Sequence, residues 1–267
     1  MIEAAEPALR IGAFIGVLLL LIVLERVAPR RTRVQSWIAR VRTNGALVVL
    51  NTMVVRGVAF LAAPLAATGA ALWAQANGAG VFNAVAAPSL VAGVAVFLAL
   101  DLAVWAQHVV FHRIPHFWLF HRVHHADRDF DATTGFRFHP VEIVVSMVWK
   151  AGVVIALGAP VAAVIVFEIA LNACSMFNHS NVALPRCLDA VLRPVIVTPD
   201  MHRVHHSVHR DEHDTNFGFC LSLWDRLFRL YRAQPRGGHK GMVIGLSQAQ
   251  GDGPSRFWWS IIFPFRR

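Results

Sequence analysis

The run VVSMVWKAGVVIALGAPVAAVIVFEIALNA (residues 144–173) carries only two charged residues, Lys150 and Glu168. It is long enough to cross a bilayer once with tilt, or to enter and return. Which of these it does decides the fold. On one side of it stands His121-Arg-Val-His124-His125, and on the other His202-Arg-Val-His205-His206. The same H-x-x-H-H spacing twice in one chain is hard to obtain by accident, and imidazole is the commonest protein metal ligand. Two halves of one metal site must share a compartment, which a single crossing forbids. Gly158-Ala159-Pro160 falls in the middle, where a helical hairpin would turn. The run therefore reads as a hairpin. Its halves, about 14 residues each, are short for reaching the far headgroups.

Composition agrees with a membrane setting. Of 267 residues 56% are hydrophobic and only 15% are charged, which is too apolar for an ordinary soluble domain. The net charge of +9 is almost all arginine. Nucleic-acid binding is one reading of such a balance. The positive-inside rule explains it better, because the arginines are confined to certain loops, and no nucleic-acid partner is expected. Cys174, Cys187 and Cys220 are odd in number and widely spaced, so no disulfide framework is implied. The first apolar run has no basic stretch or cleavage site before it and reads as a retained anchor.

The expected class is all-α: an integral membrane protein with about four membrane helices or hairpin segments and a cytosolic, histidine-rich cap. The first span covers residues 11–24 and is followed by Arg26, Arg30, Arg31, Arg33, Arg40 and Arg42. A second apolar stretch, 45–73, contains Arg56 and Pro64. Arg56 is expected to snorkel or to pair between helices. The connection 74–89 has no Lys or Arg, and the third span, 90–111, leads into the first histidines. A basic first loop inside and an uncharged second connection outside put the histidines at the cytoplasmic face. Residues 217–231 are amphipathic, suited to lying on the membrane or closing over the site. Residues 257–265, with Trp258, Trp259 and the following Arg266-Arg267, form an interfacial anchor pattern.

Residues three or four apart share a helix face. His108 and His112 can point at one ion, and each H-x-x-H-H forms a further wedge. Asp101, Trp105, His108 and His112 fall on one stripe. An Asp inside a span is expensive and usually has a partner, so Asp101 is a candidate for orienting a ligand histidine. Eight histidines exceed the needs of one four-coordinate zinc and suit two ions with room for water or oxygen. Spacing alone does not name the metal. His116, His209, His213 and His239 read as solvated or peripheral.

A family resemblance rests on these residues. Asp101-Leu-Ala-Val-Trp105-Ala-Gln-His108-Val-Val-Phe-His112, the two H-x-x-H-H boxes, Phe136-Arg-Phe-His139-Pro-Val-Glu142, Phe177-Asn-His179-Ser-Asn181, Asn216-Phe-Gly218 and Ser222-Leu-Trp-Asp-Arg-Leu-Phe228 together resemble the membrane fatty acid hydroxylase / sterol desaturase superfamily. The resemblance covers roughly residues 101–232. It implies a di-iron centre (Fe2+/Fe3+) that activates dioxygen against a lipid C–H bond, hydroxylation ahead of desaturation. Zinc is a possible substitute in purified protein. It further implies His108, His112, His121, His124, His125, His202, His205 and His206 as ligands, with His179 as a ninth. Ser175 stands where His179 would have a histidine partner four residues earlier. His139 matches a family position but reads equally as a structural turn, and Asn216 joins Asp101 and His139 as a weaker supporting candidate. Ala126 replaces a frequent hydroxyl residue, and Arg229-Leu230 replaces a frequent Gly-Thr. By analogy, electrons come from a ferredoxin or a b-type cytochrome with its reductase, since no flavin or dinucleotide fingerprint is present. The implied organisation is an anchor over 1–100, a hydroxylase-like catalytic domain over 101–235 and an interfacial tail over 236–267.

Two other classes remain. A zinc-dependent membrane hydrolase would need a general base in a motif such as H-E-x-x-H, which is lacking. A metal transporter or sensor would place ionisable residues at several depths between helices, whereas these histidines cluster at one face.

Overall fold

The computed structural model describes residues 5–85 and 87–266, so Arg267 of the C-terminal anchor pattern lies outside the described residues. The principal helices are α1 (Glu6–Val27), α2 (Trp37–Leu61), α3 (Ala67–Ala76), α4 (Ser89–Arg113), α5 (Pro115–His125), α6 (Pro140–Leu157), α7 (Val161–Asn178), α8 (Pro199–His205) and α9 (Phe257–Ile262). Short helical turns join them, and no strand occurs among the described residues. The chain is an all-α membrane protein.

The expected hairpin is α6 and α7. Gly158 ends α6 in the left-handed region at φ +62°, and Pro160 precedes the first turn of α7. A Cβ on Gly158 would also meet the Ala79 carbonyl oxygen at 2.7 Å, so both the turn and the far-side connection need glycine there. Each arm has 18 residues rather than 14, because α6 starts at Pro140 and α7 runs on to Asn178. Each arm is therefore long and apolar enough to cross by itself. Among the described residues, five helices (α1, α2, α4, α6 and α7) are long and apolar enough to cross a membrane.

The second apolar stretch is two elements. Ser36 Oγ accepts a hydrogen bond from Ala39 N and starts α2 earlier than the hydrophobic pattern suggested. The helix stops at Leu61, just before Pro64, whose ring and missing N–H cannot continue it. The chain then reverses into α3, which packs across α6 and α7. Helix α4 packs on both hairpin arms, α1 on α7 and α2 on α6. The core is small and branched side chains, including Ala70, Ala71, Leu100, Val154, Val164 and Phe167. Ile11, Ile15, Leu19 and Leu20 on α1 stay exposed, as a lipid-facing helix requires.

The arginines between α1 and α2 do more than mark a membrane side. Arg30 pairs with Asp200 on α8, and Arg31 donates to the carbonyls of His239 (2.5 Å) and Met242 (2.7 Å). Arg40, fully buried, makes a fork to Asp127 (2.7 Å to each oxygen) and also reaches Asp131. The N-terminal helices are thus bolted to the cap around the histidines. The C-terminal anchor is half docked. Trp259 stacks on Phe263 against Val123 and Ala126, and Ser260 Oγ accepts from Arg137, while Trp258 and Phe265 remain exposed.

Candidate metal centre

Nine buried histidines meet at one end of the bundle. They fall into two adjoining groups, His108, His112, His121, His125 and His205 in one, and His124, His179, His202 and His206 in the other. Within each group the potential ligand nitrogens all lie within 4.8 Å of one another. The doubled motif now has a geometric meaning. Each H-x-x-H-H gives its i,i+4 pair to one group and its middle histidine to the other. His121 and His125 go to the first group with His205, and His202 and His206 go to the second with His124. Local sequence builds these wedges. Pro115 opens α5 and Pro199 opens α8, where Thr198 Oγ1 caps by accepting from Met201 N. His179 follows α7 directly, so the hairpin delivers it to the same end as α5.

Hydrogen bonds fix which nitrogen carries the proton. Carbonyl and carboxylate oxygens only accept, so their ring partners must donate. His108 Nδ1–H donates to Phe217 O (2.8 Å), His121 Nδ1–H to Glu142 Oε1 (2.6 Å), His179 Nδ1–H to Ser175 O (2.6 Å) and His205 Nδ1–H to Thr215 O (2.7 Å). His112 Nδ1–H faces Asp214 Oδ1 at 3.2 Å. The Nε2 lone pairs are then turned inward. His108 and His121 bring theirs to 3.1 Å, as do His112 and His125. His179 Nε2 lies 3.1 Å from both His124 Nε2 and His202 Nε2.

Facing lone pairs repel unless a cation lies between them. Two nitrogens 3.1 Å apart subtend a little over a right angle at an ion about 2.1 Å from each. That suits a five- or six-coordinate metal better than a tetrahedral one. His205 Nε2, His206 Nε2 and His206 Nδ1 are buried with no hydrogen-bond partner among the described residues. An orphaned buried nitrogen is costly, and a metal bond satisfies it. Burial, with His213 adding, holds the His121 imidazole at about 3. Burial likewise holds His179 at about 3, and pushes His124, His125, His202, His205 and His206 below the ordinary range. Neutral rings are the metal-binding form. The residues present fit two metal ions.

The weaker candidates stand elsewhere. Asp101, a candidate for orienting a histidine, bonds to no histidine among the described residues. It accepts from Cys220 N (3.3 Å), Leu221 N (3.2 Å) and Trp224 Nε1 (2.8 Å), pinning the loop whose Phe217 carbonyl holds His108. A helical stripe shows which way a side chain points, not which loop returns to meet it. His139 caps α6, its Nδ1 accepting from Val141 N at 3.2 Å while Nε2–H faces Ile261 O. Asn216 sits at φ 55° and ties Met201 O and Arg232 O together through Nδ2, at 2.8 Å each. Both are structural joints. His116 and His209 are exposed as expected. His213 and His239 are buried instead, His213 stacked on Trp118 beside His112 and His239 against Asp200. The segment 217–231 packs over the site, while Leu223, Leu227 and Phe228 stay exposed. Asp225 accepts from Trp105 Nε1, Phe217 N and Gly218 N, each at 2.9 Å.

Sequence reasoning gave no role to Glu142 or Asp214, the two carboxylates that hold ligand-type histidines. Glu142 carried a faint signal, an acid at the first turn of a long apolar run. A cavity of about 960 Å³ starts at His108, His121 and Glu142 and extends between α1, α2, α4, α6 and α7. Phe14, Val48, Val55, Val104 and Phe136 give it a largely apolar wall.

Comparisons with known proteins identify the family. Residues 93–229, just over half of the chain, match the fatty acid hydroxylase family model. Human alkylglycerol monooxygenase is 25% identical over 151 residues, 57% of this chain and 32% of the human protein. Ornithine lipid hydroxylase OlsE of Rhizobium tropici is 30% identical over 146 residues, 53% of this chain and 43% of that protein. The chain thus matches less than half the length of these relatives. No solved structure matches it. The family match contains all nine clustered histidines, and the chain belongs to the fatty acid hydroxylase family.

Proposed function

We propose that this protein is a membrane oxygenase that hydroxylates a C–H bond of a lipid, using two iron ions held by the nine histidines at the cytoplasmic face. The observation that carries this reading is the pair of adjoining histidine groups at the end of an apolar cavity inside a membrane bundle. Bound iron would supply the dioxygen activation that no side chain of the site performs. The chain supplies the rest. Glu142, Asp214 and the carbonyls of Ser175, Thr215 and Phe217 fix the rings with their Nε2 atoms inward. The cavity wall takes up an apolar chain and keeps water from the reacting carbon. The segment 217–224, held by Asp101 and Asp225, covers the centre.

The arginine-rich segment lies on the histidine side, and the connection 74–89 carries no Lys or Arg, which supports a cytoplasmic site. No dinucleotide or flavin fingerprint is present, so electrons come from an external carrier, a ferredoxin or a b-type cytochrome with its reductase. The basic cap offers an acidic carrier a docking face.

The test is lipid analysis of cells with and without the chain, grown under isotopically labelled dioxygen. A hydroxylated lipid carrying the label is expected. It should vanish in His124→Ala and His205→Ala while the chain still inserts in the membrane. Product labelled from water, or undiminished in the alanine variants, would contradict the reading.

A further inference from the structure

The end of the cavity away from the histidines is polar. Glu6 and Arg10 on α1, Thr52 and Arg56 on α2, and Lys150 on α6 line it. Arg10 donates to Glu6 Oε1 at 2.8 Å and to Thr68 Oγ1 at 3.2 Å, and pairs with Glu168 Oε2 at 2.9 Å. Lys150 pairs with the other oxygen of Glu168. Among the described residues, Arg56 has no ion-pair partner. Among the described residues, the polar end therefore holds three cations, Arg10, Arg56 and Lys150, against two carboxylates, Glu6 and Glu168.

An ionised side chain within a span is costly and is normally paired or used. Here Glu168 is shared by two cations, and among the described residues Arg56 is left without a carboxylate. Lys150 keeps N–H donors beyond its single bond to Glu168, and the Arg56 guanidinium is wholly free for a ligand. Eight residues of α6 separate Lys150 from Glu142, about 12 Å along the helix. Helices α1 and α2 pack on different hairpin arms, and Arg56, which lines the cavity from α2, is exposed. Arg10 and Arg56 fall outside the segment that matches the family, residues 93–229.

We propose that this polar end is a subsite for the anionic head of a lipid, a carboxylate or a phosphate, which enters between α1 and α2 and lays its chain toward the histidines. The inference rests on the proposed lipid oxygenation. It makes the substrate an anionic amphiphile and ties the oxidised carbon to a fixed distance from the head rather than from the methyl end.

The test reads binding without turnover, on the purified full-length chain in neutral detergent. Palmitate is compared with hexadecanol, and dipalmitoyl phosphatidic acid with dipalmitoylglycerol, by the shift each gives in melting temperature. Inorganic phosphate is the free-anion control. The anionic member of each pair should bind about ten- to a hundredfold more tightly, the usual worth of a hydrogen bond to a charged group. Inorganic phosphate should give no shift. Arg56→Gln breaks none of the ion pairs and should remove most of the preference. Lys150→Met should reduce it too, at some cost in stability because Glu168 loses a partner. Equal binding of charged and neutral lipids, an unchanged preference in Arg56→Gln, or a shift with phosphate alone would overturn the proposal. Anionic preference without a dioxygen-labelled product would leave the subsite standing and end the oxygenase reading. Labelled product without anionic preference would do the reverse.

Discussion

Glu142 is the most informative residue to change, because one bond makes its role. Its Oε1 lies 2.6 Å from His121 Nδ1, its Oε2 has no partner among the described residues, and the pair is buried. A carboxylate behind a ligand histidine fixes the ring and raises its basicity. Glu142→Gln keeps an acceptor for Nδ1–H but removes the charge. Glu142→Ala removes both and leaves a buried donor unpaired, costing about 1–3 kcal/mol. Loss of such a partner lowers metal affinity by about 10–100-fold, which is about 1.4–2.8 kcal/mol at 1.4 kcal/mol per tenfold. Glutamine should fall near the low end and alanine near the high end. The assay is competition for bound iron by a chelator of known affinity, with melting curves to separate metal loss from unfolding. If Glu142→Ala holds iron as tightly as the unaltered protein, the ligand role of His121 is wrong.

Other outcomes follow from the same contacts. Asp225→Ala strands three donors at 2.9 Å each and should lower stability by about 3 kcal/mol, read as a drop in melting temperature. Arg229 sits at φ 58°, where the resemblance expects glycine. Arg229→Gly should relieve about 1–2 kcal/mol of backbone strain against about 0.5–1 kcal/mol of glycine entropy, so the melting temperature should rise slightly; a fall would refute the strain. Burial holds His239 down at about 4. The folded protein therefore binds fewer protons than the unfolded chain between about pH 4 and 6.5, so this contribution is full above 6.5 and lost as pH falls toward 4. In melting curves over that range, His239→Gln should show a shallower decline; an identical slope would remove His239 from the account.

The parts of the fold legible in the sequence are those set by local chemistry. Gly158 and Pro160 in a long apolar run mark a turn, and two like histidine boxes on either side fix its sense. The boxes themselves are helix-face patterns, so grouping His121 with His125 and His202 with His206 needs no tertiary knowledge. The split into a five-histidine and a four-histidine group does need it, because α5, α7 and α8 must first be brought together. The same limit hid Asp214 and the carbonyls of Thr215 and Phe217, which reach the site only when the cap folds back. Asp101 reads in the sequence as a polar residue needing a partner, yet its partners lie in that returning loop. His139 was half legible, since a histidine before proline at a helix start is also a cap. The arginines after α1 fit a charge rule that says nothing of their specific bonds to Asp127, Asp131 and Asp200, which depend on the cap folding back.

The central claim is that the nine histidines hold two metals. Metal analysis of protein purified without oxygen and without added zinc tests it directly. Two irons per chain are expected, falling to about one in His205→Ala, which breaks the five-histidine group, and in His202→Ala, which breaks the other. One metal or none per chain in the unaltered protein, or two retained in both variants, would contradict it.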